Sequence, residues 1–519
     1  MRLDKDLQSV QEVRVLVDNA VKAQRILSSY SQERLDEICA AVAEACEQRA
    51  ERLAKMAAEE TGFGLWRDKV KKNLLGSRAT WEHAKNQRVV GILRSDSNLG
   101  LIEIGVPVGV IAALIPSTNP TSTTMYKAIL SLKAGDAVVF SPHPGAKDCI
   151  LETANIIRAA LRKTGAPEDA VQCVQTVTAQ ATDALMRHRS VALILATGGE
   201  AMVRAAYSSG NPAIGVGPGN GPAFIERSAD IPKAVSQIIE SKTFDNGVIC
   251  ASEQSVVVES VSAKAVEEEF IRQGGAFLSP EDSGKLSRIL LRANGTMNPA
   301  VVGKSAVTVA KMAGITVPEN TTVLLSRQTE VSHDNPYSRE KLCPVLAFYE
   351  EPDWRAACER CIALLYNEGA GHTMTIHSSN QEVIREFAMR KPVSRLLVNT
   401  PAALGGVGAT TALPPAFTLG CGALGGSATG DNIEARHLTN IRRVAWGQEL
   451  PPSAAPTPPS GRGASQGSTP FESEHSATRP PPRGGMSHRD RGEQETDYSV
   501  TPEQVAQITR EVYARISNL

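Results

Sequence analysis

The sequence has few aromatic residues and almost no net charge. Of its 519 residues, 4% are aromatic, and the formal net charge at pH 7 is -1. This balance leaves no basic surface of the kind that nucleic acids or anionic membranes attract, so neither partner is expected. The longest apolar stretch, residues 106–116, is too short to span a bilayer. The first residues alternate in charge and do not read as a secretory signal, so we expect a cytoplasmic protein.

The sequence also lacks a regular cysteine spacing. Its nine cysteines are scattered along the chain, which argues against a disulfide framework. Cys358 and Cys361 lie three residues apart in a predicted helix, but no matching second pair completes a zinc site. We therefore expect a reducing compartment and no bound metal.

Hydrophobic periodicity divides the chain into regions. Residues 1 to about 90 carry apolar residues at helical spacing. Apolar strands at 108–115, 137–140, 171–174 and 191–196 then alternate with helices, which indicates a parallel sheet covered on both faces. We predict an α/β protein. Residues 1–244 would form a helical region and a first α/β block, residues 245–436 a second α/β block, and residues 437–450 a closing segment.

The composition changes after Leu450. Nine prolines fall between Pro451 and Pro482, among Gly, Ser and Thr, so residues 451–498 are predicted to be a disordered linker. Residues 499–519 then recover a helical pattern with an N-cap at Thr501. The predicted helix has one apolar stripe, formed by Val505, Ile508, Val512 and Ile516. Isolated helices this short are marginal in water, so the stripe needs a partner. That partner is another protein, the surface of this chain's own folded part or a neighbouring subunit.

Residues 244–254 (FDNGVICASEQ) place Cys250 in a glycine-containing turn just before a predicted strand. A thiol at such a turn is presented to a cleft, where a backbone N–H can stabilise a developing oxyanion. The alternative is a buried cysteine that reacts with nothing, which is the commoner use of a free cysteine. The turn alone leaves both readings open.

Three further segments are candidates for ligand binding. Residues 195–200 (LATGGE) lie where a strand ends and a helix begins, so Gly198 and Gly199 would admit a phosphate or would only form a tight turn. Residues 214–220 (IGVGPGN), with Gly217 at their centre, form either a ligand loop or a structural one. Asn119 follows a buried strand at the carboxyl end, where α/β sheets bind ligands. Its amide would face an oxyanion or cap its own turn.

Together these segments resemble the aldehyde dehydrogenase superfamily, and within it the CoA-acylating branch. That branch includes the aldehyde dehydrogenase half of the bifunctional aldehyde–alcohol dehydrogenases. The resemblance covers residues 5 to about 447. It rests on residues 116–123 (PSTNPTST), 140–144 (FSPHP), 244–254 and 339–346 (REKLCPVL). It implies two Rossmann-like α/β domains: a dinucleotide-binding domain within residues 1–244 and a catalytic domain at 245–436, with residues 437–450 as an oligomerisation segment. It also implies NAD as cofactor, coenzyme A as second substrate and a homo-oligomer, dimeric or tetrameric.

The resemblance also implies roles for individual residues. Cys250 would be the acyl-forming nucleophile, and Asn119 would complete the oxyanion hole with the Cys250 backbone N–H. Glu340 matches the glutamate that binds the nicotinamide-side ribose, although from the residues alone it reads as a solvated loop carboxylate. The cofactor would lie along Thr197, Gly198 and Gly199. Ser141 and His143 match the stretch that holds the adenosine ribose, and His372 matches a Gly-His-Thr segment that would contact or ionise CoA, with a structural histidine as the alternative.

One departure from the family bears on how the acyl group is released. Hydrolytic aldehyde dehydrogenases carry a water-activating glutamate in a Glu-Leu-Gly-Gly motif, and the matching residues 215–220 here contain no carboxylate. Without that base water is a poor acceptor, whereas a thiol with a pKa near 8.5 is partly ionised at neutral pH. The expected product is therefore an acyl-CoA made from a short-chain aldehyde of the acetaldehyde or propionaldehyde type.

Several alternatives remain at this stage. A hydrolytic dehydrogenase with a displaced base would give a carboxylate, and a non-catalytic scaffold would keep only the fold. An enzyme like histidinol dehydrogenase or glutamyl-phosphate reductase fits the four segments less well. The tail at residues 499–519 resembles the encapsulation peptides of bacterial microcompartments, which implies a shell or cargo protein as partner and the microcompartment lumen as location.

Overall fold

The computed structural model describes residues 4–447. Its helices are α1 (Lys5–Leu27), α2 (Gln32–Glu47), α3 (Ala50–Thr61), α4 (Trp66–Leu74), α5 (Thr80–Ala84), α6 (Pro120–Lys133), α7 (Lys147–Lys163), α8 (Ala179–Met186), α9 (Glu200–Tyr207), α10 (Ile231–Thr243), α11 (Ser260–Arg272), α12 (Pro280–Leu290), α13 (Ala306–Met312), α14 (Trp354–Asn367), α15 (Gln381–Arg390) and α16 (Ala402–Gly406). The predicted linker at 451–498 and the predicted helix at 499–519 lie outside the described residues.

The strands of the described residues form three sheets. They are β1 (Gly91–Asp96), β2 (Leu101–Pro107), β3 (Val110–Ile115), β4 (Ala137–Pro142), β5 (Val171–Cys173), β6 (Val191–Thr197), β7 (Ala213–Val216), β8 (Gly221–Ile225), β9 (Glu253–Glu259), β10 (Gly275–Phe277), β11 (Val323–Arg327), β12 (Val345–Glu351), β13 (Gly371–His377), β14 (Val393–Val398) and β15 (Thr439–Ala445).

Helices α1 to α5 occupy most of residues 5–84, as the periodicity predicts. Helix α1 buries Val13, Val17 and Ala20 along one stripe, which is the spacing of an amphipathic helix. The side chain of Ser31 caps α2 by accepting a hydrogen bond from the Arg34 N–H. Helices α1 and α2 pack against α6, α7 and α8, so the helical region covers the first sheet.

The first sheet is parallel and has the strand order β5-β4-β3-β6-β7. Strands β3 and β4 are buried at every position, as expected of a sheet covered on both faces. The four strands predicted between residues 108 and 196 are confirmed as β3, β4, β5 and β6. Their carboxyl ends form one edge, where an α/β sheet binds ligands.

The second sheet is also parallel, with the order β10-β11-β12-β9-β8-β13-β14. Strand β8 pairs with β9 and β13 near the middle of this sheet. The chain therefore enters the second sheet before residue 245, the predicted start of the catalytic domain. Two parallel sheets with covering helices confirm the predicted α/β class.

The third sheet is antiparallel, with the order β1-β2-β15. Strand β15 lies in the predicted closing segment and pairs with β2 from Thr439 to Ala445. Most of β15 is exposed, and its oligomerisation role stays a prediction. No helix within residues 4–447 is both long enough and apolar enough to cross a membrane.

Candidate active site

A cavity of about 670 Å³ lies between the two parallel sheets. Its walls come from the carboxyl ends of β3, β4, β6 and β7 and from loops that precede β9 and β12. Nine of the ten predicted site residues line it: Asn119, Ser141, His143, Thr197, Gly198, Gly199, Gly217, Cys250 and Glu340. The tenth, His372, lies outside the lining. Segments far apart in sequence therefore meet at one cleft.

The loop that carries Cys250 reverses the chain between α10 and β9. Asp245, Asn246 and Gly247 all have positive φ, at 51°, 52° and 78°. A Cβ on Gly247 would lie 3.2 Å from backbone atoms of Cys343, so the turn requires glycine here for both conformation and space. This geometry places Cys250 at the cavity wall. Of the nine cysteines, Cys250 alone is not fully buried.

The thiol of Cys250 is held in its neutral form in the ligand-free site. Burial raises its pKa to about 12, with Glu340 and Cys421 adding to the rise and the Arg395 guanidinium opposing it. Desolvation disfavours the charged thiolate. Attack by the Cys250 sulfur therefore requires that the thiol proton be removed.

The amide of Asn119 is oriented by a residue that the sequence did not indicate. Lys72 Nζ donates to Asn119 Oδ1 at 2.7 Å. Asn119 Nδ2 then lies on the opposite side and donates to Thr118 Oγ1 at 3.3 Å. Both Asn119 and Thr118 line the cavity, so the amide presents N–H groups there.

The glycines after β6 leave open space. A Cβ built on Gly199 meets nothing within 4 Å, and one on Gly198 meets only Met202. Packing therefore does not demand glycine at Gly199, which is the N-cap of α9. An open glycine at a helix N-terminus suits close approach of a phosphate. Thr197, at the end of β6, contacts the hydroxyl of Thr418 at 3.2 Å.

The side chains after β4 are fixed by neighbours. Ser141 Oγ lies 2.9 Å from Thr182 Oγ1. His143 Nδ1 accepts from the Gly145 N–H at 3.0 Å, which leaves Nε2 as the donor nitrogen of the neutral ring. Burial lowers the pKa of His143, so the ring stays uncharged at neutral pH.

Glu340 lies against the glycine loop that ends at β8. Its Oε1 accepts from the Gly219 N–H at 3.0 Å, and its own backbone N–H donates to Glu368 at 2.6 Å. Burial, and then the nearby Glu368 carboxylate, raises the pKa of Glu340 to about 8. The carboxyl group is thus poised to ionise when a ligand donates hydrogen bonds to it.

Gly219 and Gly217 play different structural parts in this loop. A Cβ on Gly219 would lie 2.0 Å from the Cys250 carbonyl oxygen and 3.3 Å from His372 Nδ1. A Cβ on Gly217 would meet nothing within 4 Å. Gly219 is required so that two backbones can approach, whereas Gly217 faces open space in the cavity.

His372 lies at the start of β13, beside Gly219 and fully buried. Its Nδ1 is 2.9 Å from Thr373 Oγ1, and the same hydroxyl oxygen accepts from Arg395 Nε at 3.0 Å. The hydroxyl proton then has Nδ1 as its acceptor, so Nε2 carries the ring proton. Among the described residues, Nε2 has no hydrogen-bond partner. Burial, and then Arg395, lowers the pKa of His372 to about 3, so it stays neutral.

A second cavity of about 450 Å³ shares Ile249, Val407 and Phe417 with the first. The two cavities therefore adjoin beside the residue that precedes Cys250. Apolar side chains form much of its wall, including Leu74, Leu75, Ala79, Phe244 and Leu404. No motif pointed to this cavity, because its wall combines helix α4 with loops more than 150 residues away.

The cations that line the second cavity all have acidic partners. Lys71 pairs with Asp68 at 3.0 Å, Lys72 pairs with Asp245, and Arg78 lies 3.4 Å from Glu47. The cavity therefore offers little net attraction to an anionic ligand. Within residues 4–447 no cluster of three or more His, Cys, Asp or Glu side chains has the arrangement of a metal site.

Comparisons with known protein families, sequences and structures identify the proteins that this chain resembles. Residues 6–277 match the aldehyde dehydrogenase family. The bifunctional aldehyde-alcohol dehydrogenase of Escherichia coli K12 is 42% identical over 442 residues, which are 84% of this chain and 50% of that protein. The chain thus spans about half the length of this curated relative.

Solved structures match over most of both chains. A probable aldehyde dehydrogenase of Listeria monocytogenes is 57% identical, with a TM-score of 0.85, covering 86% of this chain and 99% of that one. An acetylating aldehyde dehydrogenase of Geobacillus thermoglucosidasius is 46% identical, with a TM-score of 0.85 and coverages of 87% and 100%.

Two further solved structures are similar to this chain at lower sequence identity. One is a propionaldehyde dehydrogenase from a Clostridium phytofermentans microcompartment, at 28% identity and TM-score 0.78, covering 84% of this chain and 98% of that one. The other is a Rhodopseudomonas palustris propionaldehyde dehydrogenase with bound CoA and an acylated cysteine. It is 27% identical, with a TM-score of 0.77, covering 84% of this chain and 97% of that one. On this combined evidence the chain belongs to the aldehyde dehydrogenase family.

Proposed function

We propose that the chain is an NAD-dependent, CoA-acylating aldehyde dehydrogenase that converts a short-chain aldehyde to its acyl-CoA. The observation that carries this proposal is the meeting of Cys250, Asn119 and the open glycines of the first sheet in one cavity. The relatives named as acetylating or holding CoA support the choice of acyl acceptor.

The cavity fits a dinucleotide on its first-sheet side. Gly199 and Gly217 leave room for a close approach, and α9 directs its N-terminal N–H groups to the same place. We assign Thr197, Gly198, Gly199 and Gly217 to the dinucleotide, Glu340 to the nicotinamide-side ribose, and Ser141 and His143 to the adenosine ribose. The bound nicotinamide supplies the hydride acceptor.

The reaction begins when the Cys250 thiol loses its proton to solvent and the resulting thiolate bonds to the aldehyde carbon. The carbonyl oxygen becomes an oxyanion, to which the Asn119 amide and the Cys250 backbone N–H donate hydrogen bonds. When the C=O bond re-forms, the carbon releases hydride and Cys250 is left acylated as a thioester. Covalent catalysis of this kind replaces one difficult step by two easier ones.

Release of the acyl group follows from what the loop before β8 lacks. Residues 215–220 offer no carboxylate to activate water, so a thiol is the better acceptor. The CoA sulfur bonds to the thioester carbon, and Cys250 leaves as a thiolate. Aldehyde, oxidised cofactor and CoA are thereby converted to acyl-CoA, reduced cofactor and one proton.

His372 is buried beside Gly219 and outside the cavity lining. Its Nδ1 lies against Thr373, and its neutral Nε2–H has no partner among the described residues. With a pKa of about 3, its ring is a weak base. A contact with CoA would therefore use His372 as a hydrogen-bond donor and not as the base that removes the CoA proton, and a structural histidine remains the alternative.

The second cavity supports a small, uncharged aldehyde. Apolar side chains form much of its wall, and its cations are paired with carboxylates. An aldehyde of the acetaldehyde or propionaldehyde type would reach Cys250 through this cavity without desolvating a charge.

The test is product analysis with the purified protein, NAD and propionaldehyde, with and without CoA. We expect continuous cofactor reduction and propionyl-CoA only when CoA is present, at most one reduced cofactor per active site without CoA, and neither product from Cys250→Ala. Propionate formed at an equal rate without CoA would indicate a hydrolytic dehydrogenase. A folded protein with neither activity over a series of aldehydes would indicate a scaffold.

We further propose that residues 499–519 target the enzyme to a microcompartment lumen through a shell or cargo protein. The apolar stripe at Val505, Ile508, Val512 and Ile516 and the microcompartment relative support this. A fluorescent protein fused to residues 499–519 should form foci in cells that make the shell. Diffuse fluorescence, equal to that of the Ile508→Glu/Val512→Glu control, would instead favour docking on the enzyme itself.

A further inference from the structure

Lys72 is a buried lysine whose three contacts join the two sides of the candidate site. Its side chain is 2% exposed. The ammonium donates to Asn119 Oδ1 at 2.7 Å, to Val248 O at 2.6 Å and to the Asp245 carboxylate. An ammonium has three N–H donors, so each of them has a partner.

We propose that Lys72 is a positioning residue for the reaction: it orients the Asn119 amide and ties it to the cysteine loop. The proposal rests on the assignment of Asn119 as an oxyanion donor under the proposed function. Lys72 is separated from these partners by 47 to 176 residues and does not line the first cavity.

The orientation follows from which groups donate. An ammonium has no acceptor, and an amide has one oxygen and two N–H groups. The reversed amide would place an N–H₂ group against Lys72, two donors face to face in a buried site. Lys72 therefore selects the rotamer in which Nδ2 lies beside Thr118, a cavity residue.

The same ammonium fixes the loop that precedes Cys250. Asp245 has φ of 51° and accepts from Leu65 N–H at 2.6 Å, from Lys69 at 2.9 Å and from Lys72. Val248, the third acceptor of Lys72, is two residues before the nucleophile. One cation thus sets the distance between the side-chain donor and the backbone donor of the oxyanion hole.

The ammonium is surrounded by both signs of charge. Burial disfavours its charged form most, Asp245 and Asp68 favour that form, and Lys69 disfavours it, so that the pKa of Lys72 is lowered to about 8. Lys69 shares Asp245 but has no contact with Asn119. It therefore provides a matched control, since its removal perturbs the same carboxylate.

The experiment compares Lys72→Met with Lys69→Met in the full-length enzyme, with melting temperature as the measure of folding. We expect Lys72→Met to lower kcat by about 10²-fold, the scale of a lost oxyanion donor, with little change in the KM values for aldehyde and NAD. Lys69→Met should retain most of kcat. Equal losses of kcat in the two variants would overturn the proposal.

A double-mutant cycle adds a readout that general destabilisation would not give. In an Asn119→Ala background, Lys72→Met should lower kcat little further, because the amide that Lys72 positions is gone. If the fold-loss of kcat in the double variant equals the product of the two single-variant losses, Lys72 acts independently of Asn119. If Asn119→Ala retains full turnover while Cys250→Ala is inactive, the oxyanion assignment and this proposal both fail, and the covalent mechanism stands.

Asn119→Asp tests the orientation even if Lys72→Met does not fold. The aspartate keeps an acceptor for Lys72 but removes the amide donors. We expect an unchanged or higher melting temperature and a kcat as low as that of Asn119→Ala. Wild-type kcat in Asn119→Asp would overturn the proposal.

Discussion

Replacing Gly219 by alanine should displace the nucleophile. The new Cβ would lie 2.0 Å from the Cys250 carbonyl oxygen and 3.0 Å from its carbonyl carbon. Relief of this contact moves the cysteine loop by about 1 Å, a misplacement that costs roughly 10²-fold in rate. Overpacking of this kind also destabilises a fold by about 1–3 kcal/mol.

Steady-state kinetics and thermal melting of Gly219→Ala test this reasoning, with Gly217→Ala as the comparison. A Cβ on Gly217 meets no atom within 4 Å, so the Gly217→Ala variant should melt at the temperature of the wild type. Because Gly217 is assigned to the cofactor, its variant should raise the KM for NAD. A Gly219→Ala enzyme with wild-type kcat and stability would refute the close approach at Cys250.

Three other outcomes are expected. Cys250→Ala should bind NAD and melt normally but form neither reduced cofactor nor acyl-CoA; acyl-CoA above a trace would contradict the nucleophile assignment. NAD should give a higher kcat/KM than NADP, because residues 140–144 contain no lysine or arginine to pair with a 2′-phosphate. The Lys147 that follows lies 3.4 Å from the Asp148 carboxylate. A clear preference for NADP would contradict this expectation. Alkylation of Cys250 in the ligand-free enzyme should accelerate about tenfold per pH unit up to pH 10, since its pKa is about 12, and a plateau near pH 8 would show a less buried thiol.

The sequence predicted those parts of the site whose signals are local. Strands β3, β4 and β6 are continuous apolar runs, and each is followed by glycine, proline or asparagine at the sheet edge. The rule that ligands bind at the carboxyl ends of parallel strands then brings Asn119, Ser141 and Thr197 together. The turn at Cys250 was visible from Asn246 and Gly247, which suit positive φ.

The parts that could not be predicted depend on contacts between distant segments. Lys72 is one lysine on a charged helix, and only the fold brings it to Asp245, 173 residues away. Strand β8 is short and contains Pro222, a residue that argues against a central strand. Pairing on both sides with β9 and β13 overrides that local preference.

The contacts of Glu340 bear on the alternative of a hydrolytic dehydrogenase with a displaced base. With a pKa of about 8, it has the basicity of a group that activates water, as a hydrolytic dehydrogenase requires. Its Oε1, however, already accepts a hydrogen bond from the Gly219 N–H, and its backbone N–H donates to the Glu368 carboxylate. A ribose diol donates two hydrogen bonds and would stabilise the ionised carboxylate in place, whereas burial and Glu368 favour the protonated carboxyl, which cannot take a proton from water. Because ribose binding uses the geometry that is already formed, the carboxylate is better suited to hold the cofactor than to hydrolyse the thioester, and release to CoA remains the open route.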